Sequence, residues 1–310
     1  MHKQRDLLSL VILAAAAATP ALGQEVAPGP AGNGIQSAAS IPDFSGIWAH
    51  FFWPDVDAPT SGPGPVVNKA HLPNGVSNPT KLVGDYSNPI LNPHAAAIVK
   101  QHGDMQLNGL GYPTPSNQCW PGGVPFIFWN IGIELLQQPD KVTILYSYNN
   151  EVRHIRLNQS HPTQVTPSWY GDSVGHYEGD TLVIDTVGIK IGPFAMADMY
   201  GTPYTQALHV VERYRLIDYE AAKEAQERAA KHNFTIPVTD FGWLPYPDYK
   251  GKGLQLQFTV EDEGAFTMAW SATVTYRRPL AEWPEFICAE SRDMFPGNAA
   301  AIPTADKPDF

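Results

Sequence analysis

The chain has 310 residues, a formal net charge of -11, 11% aromatic residues, 29 Pro and 26 Gly. So acidic a chain is a poor partner for nucleic acid, whose phosphates require surfaces rich in Lys and Arg. Many aromatic residues combined with many turn formers favour strands joined by irregular loops, and argue against a helical bundle.

The N-terminal 23 residues have the pattern of a secretory signal. Lys3 and Arg5 give a charged start, a short apolar stretch follows, and small residues lead to a cleavage site near Gly23. The apolar stretch is too short to anchor the chain in a bilayer. We therefore predict a periplasmic or secreted protein whose mature chain starts with a flexible segment over 24–41, rich in Ala, Pro and Gly.

Residues 42–292 are predicted to form one domain built on a series of strands, with a C-terminal tail at 293–310. Eight segments have strand-like patterning, and helices do not alternate with them. In chain order these segments are 43–50, 142–148, 151–157, 173–177, 181–187, 208–216, 254–261 and 265–277. The series predicts an all-β fold, either an antiparallel barrel or a strongly curved sheet.

Helices and loops complete the prediction. Segment 220–232, rich in Ala, Glu and Lys, predicts one peripheral amphipathic helix, and 93–102 predicts a short one. Segments 54–80 and 103–125 carry dense Pro, Gly and Asn and are predicted as loops. Ordered loops of such length usually cover or form a binding site.

Polar residues interrupt apolar strand faces at four positions. Glu212 and Arg153 each share a face with apolar residues, and His176 is aligned with Val174. Asp185 lies on a strand whose two faces are both largely apolar. We therefore predict that the side chains of Arg153, His176, Asp185 and Glu212 point into the barrel.

This arrangement predicts an acid–base site. Burial raises the pKa of a carboxyl group, which suits Glu212, Asp185 or His176 to proton transfer near neutral pH. Four further residues are assigned to substrate binding: Arg153, Tyr146, His161 and Trp169. Arg153 would hold a substrate carboxylate, for which a guanidinium has suitable geometry. The alternative is a buried Arg–Glu pair that only fixes strand register.

A second chemistry is suggested by the run at 171–175, which matches the hydrolase motif G-x-S-x-G. Ser173 is followed along the chain by Asp185 and His209, the order found in that fold. The motif requires a strand before the serine and a helix after it, whereas here a loop precedes and a turn and strand follow. The serine hydrolase is therefore the least favoured interpretation.

Motifs for metals and cofactors are not found. The sequence has no H-E-x-x-H, no paired C-x-x-C, no EF-hand loop and no Gly-rich phosphate loop. We therefore predict that the protein works without a metal or a nucleotide cofactor. Cys119 and Cys288 either pair as a disulfide, which an oxidising compartment allows, or remain as buried thiols.

Several runs of the sequence, taken together, are characteristic. In chain order they are DFSGIW at 43–48, CWPGGVP at 119–125, QPD at 138–140, GDSVGHYEGDTLVIDTVG at 171–188, ALHVVERY at 207–214 and CAE at 288–290. They resemble a family of exported bacterial proteins with a calycin-type, lipocalin-like β-barrel. The chain departs from the family pattern at Tyr177, where Trp is common, and at 204–206, where His-Ser-Glu is common.

The resemblance implies a barrel that holds a small, mostly apolar ligand, and it implies breakdown of plant-derived aromatic compounds. We therefore predict an exported, cofactor-independent, lyase-like enzyme that acts on a small aromatic acid, such as one derived from lignin. Decarboxylation, elimination and ring opening are all consistent with acid–base residues. The alternative is a non-catalytic periplasmic carrier of a small aromatic or apolar molecule, which needs only the aromatic residues and Arg153. No nucleic-acid partner and no membrane anchor are expected, and the sequence does not define an oligomeric state.

Overall fold

Nine strands form one sheet that closes almost completely into a barrel. The computed structural model describes residues 41–236, 248–279, 283 and 286–288. The predicted secretory signal, the segment that follows it up to residue 40, and the C-terminal tail at 293–310 lie outside these residues. In the described ranges, no helix is long and apolar enough to cross a membrane.

The elements follow one another with long loops between some of them. The strands are β1 (Gly46–Ala49), β2 (Phe52–Trp53), β3 (Gly132–Gln137), β4 (Lys141–Tyr146), β5 (Glu151–Leu157), β6 (Asp172–Glu178), β7 (Thr181–Val187), β8 (His209–Ile217), β9 (Phe234–Thr235), β10 (Gly253–Glu261) and β11 (Trp270–Tyr276). The helices are α1 (Pro93–Leu107) and α2 (Tyr219–His232), with short 3-10 helices at Phe126–Trp129 and Tyr148–Asn150.

The order of strands in the large sheet is β1-β3-β4-β5-β6-β7-β8-β10-β11, and β2 pairs with β9 in a small separate sheet. The ends of the large sheet meet at Ala49 and Arg277, whose backbone N–H groups each donate to the other's carbonyl at 2.8 Å. The predicted antiparallel barrel is therefore confirmed. One neighbouring pair is parallel, since Arg156 and Leu157 of β5 pair with Val174 and Gly175 of β6.

The sequence prediction located most strands but not all. Strand β3 was not predicted, although Ile133 and Leu135 lie on one face with Glu134 between them on the other, as in a half-buried strand. Strand β11 begins at Trp270 rather than at 265, because Ala265 and Phe266 form a turn in which both backbone N–H groups donate to the carbonyl of Asp262.

Both predicted helices are confirmed, and each has a clear sequence cause. Helix α1 starts where Asn92 accepts a hydrogen bond from the N–H of Ala95 at 2.9 Å, and Pro93 occupies the first turn. It extends beyond the predicted end, to Leu107, so residues 103–107, which were predicted as the start of a loop, are helical. Helix α2 buries a face made of alanines, namely Ala222, Ala225 and Ala229.

The barrel interior is filled by large side chains. Rings with at most 1% exposure include Trp48, Tyr146, Tyr214, Phe258, Trp270 and Tyr276. Each such side chain stabilises the fold by about 1.5–3 kcal/mol through burial of apolar surface. Cys119 and Cys288 form a disulfide that joins the loop before β3 to the C-terminal part of the chain.

Candidate functional site

Inside the barrel, Arg153 of β5 and Glu212 of β8 form a buried ion pair, with side chains 1% and 0% exposed. Nη1 of Arg153 donates to Oε2 of Glu212 at 3.0 Å, and Nη2 donates to Oε1. This two-point contact has the geometry in which guanidinium and carboxylate interact most strongly. Burial alone would lower the pKa of Arg153, but the carboxylate of Glu212 raises it above its ordinary value.

The remaining N–H groups of Arg153 also have partners. They donate to Ser173 Oγ at 3.1 Å, to the Tyr146 hydroxyl at 3.2 Å and to Thr186 Oγ1 at 2.8 Å. Together with the two bonds to Glu212, these contacts use all five N–H groups of the guanidinium. The geometry thus leaves no N–H of Arg153 for a substrate carboxylate, and it matches the alternative of an ion pair that fixes strand register.

Two other residues assigned to an inward site lie on the outside, and the prediction that they point inward is wrong. The side chain of His176 is 51% exposed and its Nε2 lies 3.0 Å from Glu178 Oε1. The side chain of Asp185 is 41% exposed. For Asp185 the cause is Val183, which is buried on the outer face of β7, and for His176 it is Val174, which is buried on the outer face of β6. Each removes the contrast between the two faces of its strand.

The proposed serine triad is not assembled either. Ser173 is 3% exposed inside the barrel, where its hydroxyl contacts Arg153 and Thr186. Asp185 and His209 contact each other on the outside of the same sheet. Because the sheet separates the serine from the other two residues, the match to G-x-S-x-G has no catalytic geometry behind it.

On the outer face, two histidines converge on one carboxylate oxygen. Nε2 of His209 lies 2.9 Å from Oδ1 of Asp185, and Nε2 of His161 lies 3.2 Å from the same oxygen. The three side chains are between a quarter and a half exposed, so solvent reaches them. Of the predicted site residues, the structure thus brings His161 and Asp185 together and adds His209.

Further charged groups contact the second nitrogen of each imidazole ring. Nδ1 of His161 lies 2.6 Å from Oδ1 of Asp172, and Nδ1 of His209 lies 3.5 Å from Oε2 of Glu261. Arg156 in turn donates to both oxygens of Asp172, at 2.6 and 3.0 Å. We call these residues the outer cluster: Arg156, His161, Asp172, Asp185, His209 and Glu261. Each histidine therefore lies between two carboxylates.

These contacts shift the acid–base properties of the outer cluster. The hydrogen bond from His209 lowers the pKa of Asp185, and the same bond raises the pKa of His209. The hydrogen bond from Arg156 lowers the pKa of Asp172. Asp172 and Asp185 therefore stay ionised to lower pH than free carboxyl groups, while His209 keeps its proton to higher pH than a free histidine. Histidine with a carboxylate partner is the most common group for proton transfer at neutral pH.

The fold explains why these residues meet. Asp185 points outward from the middle of β7, and His209 is two residues from Val211, which pairs with Asp185 across β7 and β8. His161 lies on the loop 158–171, which is fixed to the sheet where the N–H of Asn158 donates to Gly175 at 2.7 Å. His209 could have been found from the sequence by pairing β7 with β8. His161 could not, because no local sequence pattern predicts the path of the loop that carries it.

The predicted binding residue Trp169 lies elsewhere, in a cleft formed by loops. Its ring packs edge-to-face on Trp120 at 5.0 Å between centroids, and Trp120 packs on Phe194 at 5.7 Å. We call this the aromatic cleft; it is lined by Trp120, Gly123, Phe126, Trp169, Phe194 and Tyr204 and spans about 280 Å³, part of which is open solvent. Lys190 Nζ lies over the Trp169 ring at 4.9 Å.

The aromatic cleft has little free space. The space in which a water molecule could be placed is about 10 Å³, enough for about one water molecule. A six-membered ring would therefore enter only if the side chain of Trp120 or Phe194 turned aside. Both side chains belong to loops, where such rotation disturbs the barrel least.

Comparisons with known proteins give no assignment. No protein-family model, no curated protein and no solved structure matches this chain. Within the part of the chain that the structure describes, no group of three His, Cys, Asp or Glu side chains is arranged to hold a metal ion. The outer cluster and the aromatic cleft are the two candidate sites of the described chain.

Proposed function

We propose that the chain is an acid–base enzyme and that His161, Asp185 and His209 transfer the protons. One observation carries this proposal: the imidazole rings of His161 and His209, both accessible to solvent, lie against the same oxygen of Asp185. Asp185 orients both rings, and His209 holds a proton that it can give to a substrate. A positioned acid–base group of this kind contributes about 10²–10⁴-fold to a reaction rate.

The reaction class we propose is that of a lyase that needs no cofactor. In the proposed step the substrate replaces one carboxylate contact of each imidazole, because both ring nitrogens of His161 and of His209 otherwise lie against carboxylate oxygens. The neutral imidazole removes a proton from the substrate, a bond to the leaving group breaks, and the protonated imidazole returns a proton to that group. The step balances in protons and electrons without an oxidant or a reductant. A small aromatic acid, such as one derived from lignin, remains the proposed substrate on the basis of the family resemblance.

Export remains part of the proposal. The N-terminal residues have the pattern of a secretory signal. The disulfide between Cys119 and Cys288 is consistent with an oxidising compartment, because cytosolic proteins rarely keep such bonds. A periplasmic or secreted protein is therefore proposed.

The test is turnover of a panel of lignin-derived aromatic acids, followed by mass spectrometry. The variants are His209→Gln, His161→Gln and Asp185→Asn, and the matched control is His154→Gln, an exposed outer-face histidine whose side chain, among the described residues, hydrogen-bonds to Thr143. We expect each variant of the outer cluster to lose at least ~100-fold in turnover and the control to keep it. Equal turnover in all four variants would reject the outer cluster as the active site.

A second candidate function is a carrier of a small aromatic molecule, and the aromatic cleft favours it. Three aromatic rings at edge-to-face distances offer stacking surfaces to a planar ligand. A carrier predicts that aromatic compounds remain bound and chemically unchanged through gel filtration. It also predicts that Trp169→Ala releases them, whereas His209→Gln does not.

A further inference from the structure

We propose that the aromatic cleft binds a small planar aromatic molecule with uptake of a proton by Glu151, which lies directly behind the cleft wall. This inference goes beyond the outer cluster and rests on the carrier function proposed for the cleft. Its ligand class is a single substituted benzene ring, neutral or with one carboxylate. The evidence is the placement of a buried carboxyl group against the loop that forms the wall.

Glu151 is the first residue of β5 and is 5% exposed. The backbone N–H of Gly122 lies 3.1 and 3.2 Å from its two oxygens. A second hydrogen bond joins it to the hydroxyl of Tyr170. No Lys, Arg or His of the described chain forms an ion pair or hydrogen bond with this carboxyl group. It differs in this respect from Glu212, which has Arg153 as its partner.

The titratable groups that interact with Glu151 are tyrosines, and Arg153, which lies on the same face of β5, is paired with Glu212 instead. Tyr146 comes from β4, Tyr148 from the 3-10 helix before β5, and Tyr170 from the loop before β6. Burial raises the pKa of each of these hydroxyl groups, so all three are neutral at the pH where Glu151 titrates. Burial likewise raises the pKa of Glu151 to about 8. Glu151 therefore gains or loses its proton in a pH range that a binding experiment can cover.

One residue of backbone separates this carboxyl group from the cleft. Gly122 binds Glu151, and the next residue, Gly123, lines the cleft. A Cβ placed on Gly122 would lie 3.2 Å from the ring of Phe126, which also lines the cleft, and 3.8 Å from Oε2 of Glu151. On the other side, Tyr170 directly follows Trp169 in the chain. A ligand in the aromatic cleft would thus contact one side of this wall, and the carboxyl group of Glu151 contacts the other.

The direction of the coupling follows from desolvation. A ligand that fills the cleft removes water from the wall and makes an ionised Glu151 less favourable. Bound ligand therefore raises the pKa of Glu151, and binding takes up a proton at pH values near 8. By linkage, the affinity is highest when Glu151 is protonated and decreases, by at most about tenfold per pH unit, as the pH rises through its pKa.

The experiment measures binding of benzyl alcohol and of benzoate between about pH 6 and pH 9.5, because neither probe changes its own charge in this range. Tryptophan fluorescence reports Kd, and calorimetry in two buffers of different ionisation enthalpy reports proton uptake. For wild type we expect constant affinity up to about pH 7, a three- to tenfold loss by about pH 9, and proton uptake near pH 8. For Glu151→Gln we expect an affinity that does not depend on pH.

Glu134→Gln is the matched control, because Glu134 lies on β3 of the same sheet and is half-buried. This control should keep the pH dependence of wild type. If Glu151→Gln does not fold, the proton uptake of the wild-type protein still decides the question. Binding that is lost in Trp169→Ala but does not depend on pH in wild type would overturn the proton linkage and leave the carrier function. No binding of either probe at any pH would overturn both.

Discussion

Asp185 and His209 lie on neighbouring strands of the barrel, and His209 Nε2 is 2.9 Å from the oxygen of Asp185 that His161 also contacts. The relationship explains why the pKa of Asp185 is lowered while the pKa of His209 is raised. A carboxylate on the outside of a sheet is usually a solvated group, but here it orients two rings that can exchange protons. This is the arrangement on which the proposed enzyme depends.

The first prediction concerns Asp185→Asn. Loss of the carboxylate removes the main cause of the raised pKa of His209, so we expect that pKa to fall toward that of a free histidine. NMR titration of the ring protons measures it directly. The contribution of this pair to stability is complete below the ordinary histidine pKa and is lost as the pH rises through the pKa of folded His209. An unchanged titration of His209 would contradict the assigned contact.

The second prediction concerns the pair inside the barrel. Glu212→Gln leaves Arg153 buried without a counter-charge, and we expect a loss of about 3–5 kcal/mol in the free energy of unfolding. Arg213→Gln is the control, because Arg213 pairs with Glu178 on the exposed face and its loss should cost at most ~1 kcal/mol. Urea unfolding followed by circular dichroism measures both. Equal losses of unfolding free energy in the two variants would mean that burial does not determine how much an ion pair contributes to stability.

The third prediction concerns the disulfide between Cys119 and Cys288, which are separated by 169 residues. The loop that it closes is long, so replacement of both cysteines by serine should lower the free energy of unfolding by about 2–5 kcal/mol. Reduction of the wild-type protein should give a loss of the same size, measured in the same urea titration. A smaller loss on reduction than on mutation would indicate that the serines disturb the contact between the Tyr148 hydroxyl and position 288.

Much of the fold could be predicted from the sequence because its strands have strong local patterns. Arg153 and Glu212 were correctly placed on inner faces, since polar and apolar residues alternate clearly in β5 and β8. Asp185 was misplaced because β7 carries apolar residues on both faces, and the outer Val183 is nearly as buried as the inner ones. Alternation predicts orientation only where the two faces differ.

The candidate sites were harder to predict because they depend on tertiary structure. His161 reaches Asp185 by way of a loop whose path is fixed by backbone hydrogen bonds at Asn158 and Ser168, and such contacts have no periodic signal. Glu151 could have been identified, since it lies two residues before Arg153 and therefore on the same face of β5. Its importance, however, depends on Gly122, which approaches it from 29 residues away.

The fourth prediction concerns the effect of Glu151 on stability. The folded-state pKa is about 8, well above that of a free glutamate, because the carboxyl group is buried. Between about pH 4.5 and pH 8 the folded protein therefore holds a proton that the unfolded chain has lost, and linkage requires stability to decrease as the pH rises through this window. Above about pH 8 both states are ionised and the decrease ends.

In Glu151→Gln this contribution is absent, so the stability of the variant relative to wild type should rise with pH by a few kcal/mol, on the order of 1.4 kcal/mol per unit of pKa shift. Urea unfolding of both proteins at about pH 5, 6.5 and 8.5 measures the difference. A difference that does not depend on pH would show that Glu151 is ionised in the folded protein, and would also remove the basis for its proton uptake at the aromatic cleft.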